Sequence, residues 1–184
     1  MSRLQPFEEN VVELKGAKII DFTGKVAGAQ HFDNFSDQVT KAIRSHEGTK
    51  IAVVIDAGFG FETEAPHLVS DHINLTGTNP LLGPNDTCGE RFPVVNDIYV
   101  THFVPGKILP AIQQGVLGGL KQGFAPSADE IKRLKTLGAE FFSYNLAQTM
   151  IVAAHSGWKV LGIVLPSRLP VDGALMNEVK SLVN

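Results

Sequence analysis

A chain of 184 residues, 43% hydrophobic and 19% charged, is long enough for one domain with its own core and too short for two of ordinary size. Its 16 Lys and Arg lie scattered among 19 Asp and Glu, for a formal net charge of -3, so no basic stripe exists to follow a phosphate backbone and nucleic-acid binding is not expected. Cys88 is the only cysteine, which excludes an internal disulfide framework and a cysteine-rich zinc site and fits a reducing compartment. Met1 to Glu9 has no signal-peptide core, and no run approaches the roughly 20 apolar residues of a membrane span, so a cytoplasmic protein with no membrane partner is expected.

Ala17 to Asp21 (AKIID) and Ile51 to Ile55 (IAVVI) are short, apolar and β-branched, the composition of buried strands. Between them Phe35, Val39, Ala42 and Ile43 recur at helical spacing, with Ser36 placed to cap the helix and Gly48 to stop it. Residues 76–93 are rich in Gly, Pro, Asn, Asp and Thr without periodicity and read as one long loop, ordered or disordered. Ser127-Ala128-Asp129-Glu130 is a capping box that opens a helix. Its apolar stripe is Ala128, Ile131, Leu134 and Leu137, and Gly138 ends it. A strand from Ala139 to Tyr144, a helix from about Ala147 to Ser156, a strand from Trp158 to Leu165 and a helix from Ala174 to Val183 complete the chain. Strand-length and helix-period segments alternate, which predicts an α/β layer fold with a largely parallel sheet.

Few short motifs carry chemistry. Gly58-Phe59-Gly60 follows a strand as a dinucleotide-binding turn does, but Thr63 stands where the third glycine belongs, so a tight turn is the simpler reading. Asp71-His72-Ile73-Asn74 gathers an acid, an imidazole and an amide; no further ligand stands nearby in sequence, which favours a hydrogen-bonded cluster over a metal site. Cys88 is either a loop thiolate nucleophile or an inert side chain, and no cue supplies it with a base.

The run Asp71-His72-Ile73-Asn74-Leu75-Thr76-Gly77, Asn79-Pro80-Leu81, Gly83-Pro84-Asn85-Asp86 and Gly89-Glu90-Arg91-Phe92-Pro93 resembles the signature of the trimeric purine nucleoside and methylthioadenosine phosphorylases. Weaker likeness extends to Gly16–Lys25, Ile51–Gly60 and Glu130–Leu165. The resemblance implies a single domain over residues 1–184, a three-layer fold with a mixed, mostly parallel sheet flanked by helices, a homotrimer, and no cofactor. It also implies phosphorolysis of a nucleoside to a base and ribose 1-phosphate, a reaction that needs donors for phosphate, a group that stabilises charge on the purine, and a dry pocket.

By the same resemblance, phosphate falls to Lys25, in place of a family arginine, to the backbone at Ala57, and to Asn145, in place of a serine. Ala27 replaces the family histidine, while His31 stands nearby out of register. Tyr144, Asn145, Arg168 and Cys88 match substrate-lining positions, Cys88 where the family has a phenylalanine that reaches the neighbouring subunit's sugar pocket. Pro126 stands where the family glutamate holds the purine edge, and Arg168 where a neutral asparagine stabilises the purine. The family's N-terminal phosphate turn has no counterpart in Met1–Lys15, and its terminal helix is cut short. The reading that results is a purine- or nucleoside-binding relative, or an assembly partner, degenerate for phosphorolysis. The alternative is an active phosphorylase with a site rebuilt around Lys25, His31, Asn145 and Arg168.

Overall fold

The computed structural model describes residues 13–84, 89–100, 111–168 and 172–184. In chain order the elements are β1 (Lys18–Asp21), β2 (Gln30–His31), α1 (Asp37–Arg44), β3 (Ile51–Phe59), β4 (His67–Asn74), a 3-10 turn (Asn96–Ile98), β5 (Gln113–Gly119), α2 (Ala128–Lys135), β6 (Phe141–Ser143), α3 (Leu146–His155), β7 (Lys159–Pro166) and α4 (Gly173–Val183).

The β-branched run after Lys50 forms the centre of the sheet. β3 pairs in parallel with β1 and, over the whole span from Ile51↔Lys159 to Gly58↔Pro166, with β7. β7 meets β4 antiparallel at His67↔Val164, β4 runs parallel to β5 and β5 to β6, and β6 returns antiparallel to the end of β3 at Gly58↔Ser143. The strands β3, β7, β4, β5 and β6 therefore close on themselves, with β1 and β2 continuing outward from β3. Most pairings are parallel and two are antiparallel, so the sheet is mixed as expected.

Alternation along β3 and β7 divides the core. Ala52, Val54, Val160 and Val164 face α1 and α3, whereas Val53, Ile55, Leu161 and Ile163 face α4. Both faces are dry, which is why these strands read as continuous apolar runs. Each such fully withdrawn side chain contributes about 1.5–3 kcal/mol. A smaller third cluster of Leu120, Ala139 and Phe142 receives Ile131 and Leu134 of α2. Among the described residues no helix is long and apolar enough to cross a membrane.

The helices follow their sequence signals with two differences. At α2 the Ser127 amide donates to Glu130 Oε2 at 2.8 Å and the Glu130 amide to Ser127 Oγ, the reciprocal box. Only Ile131 and Leu134 of its expected stripe pack, because the helix ends at Lys135 and leaves Leu137 exposed. Ser36 occupies the N-cap of α1, but its hydroxyl makes no capping bond. The strands β2, β4 and β5 stand where the sequence predicts none. β4 (HLVSDHIN) mixes polar residues into its run, and β5 (QQGVLGG) is poor in β-branched side chains. Glycine is what β5 requires: a Cβ on Gly119 would lie 2.2 Å from Cβ of Ala147, so only a bare backbone lets α3 sit on the sheet. From 76 to 93 the described residues contain no helix or strand, in agreement with the loop reading.

Closure of the ring depends on Gly58, where an added Cβ would stand 2.4 Å from Val164 Cγ1 and 2.5 Å from the Phe142 carbonyl oxygen. The second obstacle is backbone and cannot rotate away. Gly58→Ala is expected to destabilise the fold by about 1–3 kcal/mol, the usual cost of overpacking. Urea unfolding checks this: the midpoint should fall with the slope unchanged, and an unchanged midpoint contradicts the requirement.

Candidate functional site

The segments that follow β1, β3, β5, β6 and β7 converge on one cleft of about 430 Å3. Phe22 enters after β1, Asp56–Phe59 end β3, Gln122, Ala125 and Pro126 follow β5, Tyr144 and Asn145 link β6 to α3, and Ser167 and Arg168 follow β7. Crevices outside the carboxyl ends of strands are where α/β sheets place ligands. A smaller recess of about 90 Å3, lined by Gly60, Phe61, Glu64 and Pro166, adjoins it across Phe59, Ser167 and Arg168.

The cleft is built around one carboxylate. Asp56 is 2% exposed. Its Oδ1 accepts from the Ala57 amide at 2.9 Å and from Asn145 Nδ2 at 3.1 Å, while Oδ2 accepts from the Asn145 amide at 3.1 Å. Asn145 Oδ1 in turn accepts from the Phe35 amide at 2.9 Å, and the Asn145 carbonyl receives the Thr149 hydroxyl inside α3. Burial pushes the Asp56 carboxyl above the usual carboxylate range, against the opposing effect of the bonds from Asn145.

Aromatic rings form the apolar wall. The Phe59 ring lies 5.5 Å from that of Tyr144 and 6.0 Å from that of Phe142. The Tyr144 hydroxyl donates to the Phe124 carbonyl at 2.8 Å, which ties the segment carrying Gln122, Ala125 and Pro126 to the wall; burial raises the pKa of that phenol. Arg168 is exposed at the end of β7 and makes no hydrogen bond or ion pair among the described residues.

Of the residues expected at a site, the fold brings together Ala57, Tyr144, Asn145 and Arg168. Lys25 and His31 are not in the cleft lining. They belong to a loop wound around buried Asp21, whose carboxylate accepts from the Thr23 amide and hydroxyl and from the Val26 amide. His31 Nδ1 donates to the Asp21 carbonyl at 2.9 Å, and this bond, with Asp33 beside Nε2, raises the imidazole pKa. Cys88 lies outside the described residues. At the Asp71-His72 motif, Asp71 accepts from the His72 amide and the His72 ring bonds the Tyr99 hydroxyl, a hydrogen-bonded cluster. Among the described residues no group of three or more His, Cys, Asp and Glu gathers as metal ligands would.

Asp56, Phe22 and Gln122 also line the cleft, and no sequence motif singles them out; Phe59 joins them from the Gly58-Phe59-Gly60 run. A signal exists for Asp56: it follows the apolar run IAVVI directly, and a carboxylate in a buried strand needs donors.

No protein-family model matches the sequence. Purine nucleoside phosphorylase 1 of Geobacillus stearothermophilus is 30% identical over 165 residues, covering 82% of this chain and 59% of that protein. The protein of the same name from Bacillus subtilis is 29% identical over 164 residues, with the same shares. The chain thus spans 59% of the length of these two relatives. Among solved structures, a Schistosoma purine nucleoside phosphorylase in complex with guanosine superposes with a TM-score of 0.69 at 19% identity, over 91% of this chain and 88% of that one.

The raised Asp56 pKa has a definite sign. A carboxyl that holds its proton more tightly folded than unfolded favours the native state at low pH and costs stability as pH climbs through its folded pKa. Asp56→Asn removes that titration. Denaturation of both proteins between pH 4 and 8 should therefore show the stability of the wild type, relative to the variant, declining as pH rises; a flat difference would contradict burial as the dominant influence.

Sequence likeness over 82% of the chain and a shared mixed α/β fold together support kinship with the purine nucleoside phosphorylases.

Proposed function

We propose that this chain is a purine nucleoside phosphorylase-like protein that binds a purine, nucleoside or related small molecule and is degenerate for phosphorolysis. One observation carries the reading: the Asp56 carboxylate accepts from the Ala57 amide and from both nitrogens of Asn145, the groups that the resemblance assigns to phosphate. Donors already satisfied by an internal carboxylate are poor partners for an incoming anion. Pro126, an apolar residue in the cleft where the resemblance calls for a carboxylate, supports the same conclusion at the base end. The open cleft and its Phe22, Phe59 and Tyr144 rings support binding of a flat aromatic ligand. The guanosine complex of the structurally similar Schistosoma protein supports the purine class.

Loss of one transition-state donor typically costs about 10²–10³ in rate, so changes at both ends of the site lower phosphorolysis below practical detection. Pure protein with inosine and phosphate is expected to release no hypoxanthine above the uncatalysed background, while inosine or hypoxanthine raises its melting temperature. Phosphate-dependent release of hypoxanthine that Lys25→Ala abolishes would overturn the degenerate reading in favour of the active one.

The same proposal includes a homotrimer in the cytoplasm. Support for assembly comes from the 79–94 segment, where Leu82, Phe92 and Val94 are exposed, Phe92 to 85%. Light scattering is expected to return the mass of three chains, and Phe92→Asp to reduce it; a one-chain mass contradicts the trimer.

A further inference from the structure

Building on the proposal that the cleft takes a purine or nucleoside, we propose that its ligand carries a fixed negative charge covalently, on the ring or on an attached group, and that Arg168 selects for that charge.

The surroundings of the guanidinium supply the reason. Arg168 lines both the main cleft and the adjoining recess, is exposed, and makes no hydrogen bond or ion pair among the described residues. The other titratable groups in the described cleft lining do not answer it. Asp56 is buried beneath the surface with its oxygens taken by Ala57 and Asn145, and Tyr144 donates its hydroxyl to Phe124. Glu64 belongs to the recess and forms no ion pair with Arg168. Among the described residues the cleft thus holds one cation without a counter-charge, beside an aromatic wall of Phe22, Phe59 and Tyr144.

A flat neutral ligand resting on those rings covers the guanidinium and removes part of its water without replacing the charge interaction, which is a net cost. A ligand with its own anion reverses that balance. The planar fork of arginine matches two oxygens of a phosphoryl group or of an ionised ring, and such charge-assisted pairs are about twice as strong as neutral ones. Two sources present this chemistry to an aromatic cleft: a nucleoside bearing a phosphoryl group, and a purine ring acidic enough to ionise near neutral pH.

Isothermal titration with matched pairs separates them. Inosine is compared with inosine 5′-monophosphate, and hypoxanthine with urate, in wild type, Arg168→Gln and Arg168→Lys. The charged member of one pair is expected to bind about ten-fold or more tighter than its neutral partner, with an advantage that shrinks as salt rises. Arg168→Gln should reduce that advantage to less than about three-fold, and Arg168→Lys should keep part of it. The pair that responds names the source. Three results overturn the inference: neutral and charged members binding alike, an advantage that survives Arg168→Gln, or an equal gain for inosine on adding inorganic phosphate. Each of these leaves the binding function intact, because inosine or hypoxanthine still binds. Failure of all four compounds to bind would instead remove the binding function, and this inference with it.

Discussion

Putting a carboxylate inside a strand that is dry on both faces obliges the surrounding chain to bring donors to it, and at Asp56 those donors set the shape of the site. The Asn145 amide and side chain come from the start of α3, the Ala57 amide from β3 itself, and through Asn145 Oδ1 the backbone at Phe35 is drawn in just ahead of α1. Three elements distant in sequence are thus registered by one side chain. Breaking any one of these bonds leaves a buried polar group unpaired, at a cost of about 1–3 kcal/mol. Asp21, at the end of neighbouring β1, acts on a smaller scale by folding the loop from Thr23 to Val26 around itself. Two adjacent parallel strands therefore share one device, a buried acid whose oxygens gather backbone amides, placed within β3 and at the end of β1.

The site inherits a particular chemistry from this arrangement. Amides and a carboxamide at the mouth of a sheet would ordinarily be free to meet an anion, but here they are committed inward. What remains available to a ligand is the aromatic surface, the Gln122 amide, the Ser167 hydroxyl and the Arg168 guanidinium. These open groups lie mainly on the segments after β5 and β7.

Local signals are legible where local physics decides. The IAVVI run and the capping box at Ser127 each act through neighbours a few residues away, and each stands in the structure as its sequence suggests. β4 and β5 are not legible in this way. β5 is a strand because its glycines admit Phe141, Phe142 and Ala147, all of which arrive later in the chain. The site divides along the same line: Ala57, Tyr144, Asn145 and Arg168 line one cleft, whereas the place of Asp56 is hidden in the sequence because its partner Asn145 lies 89 residues away. Lys25 is matched by register and His31 only by nearness, and bonds within their own loop keep both outside the cleft lining.

The ring of strands has a consequence for how the molecule meets its own copies. An open sheet exposes a row of unpaired backbone groups along each outer strand, a template for strand addition and fibre growth. Here β3, β7, β4, β5 and β6 each have neighbours on both sides, and the part of β7 beyond the reach of β4 is met at Val160 by Tyr99 and Val100. The outermost strand is β2, two residues long. Among the described residues, then, the sheet offers a passing chain little backbone to extend, and association is left to side chains.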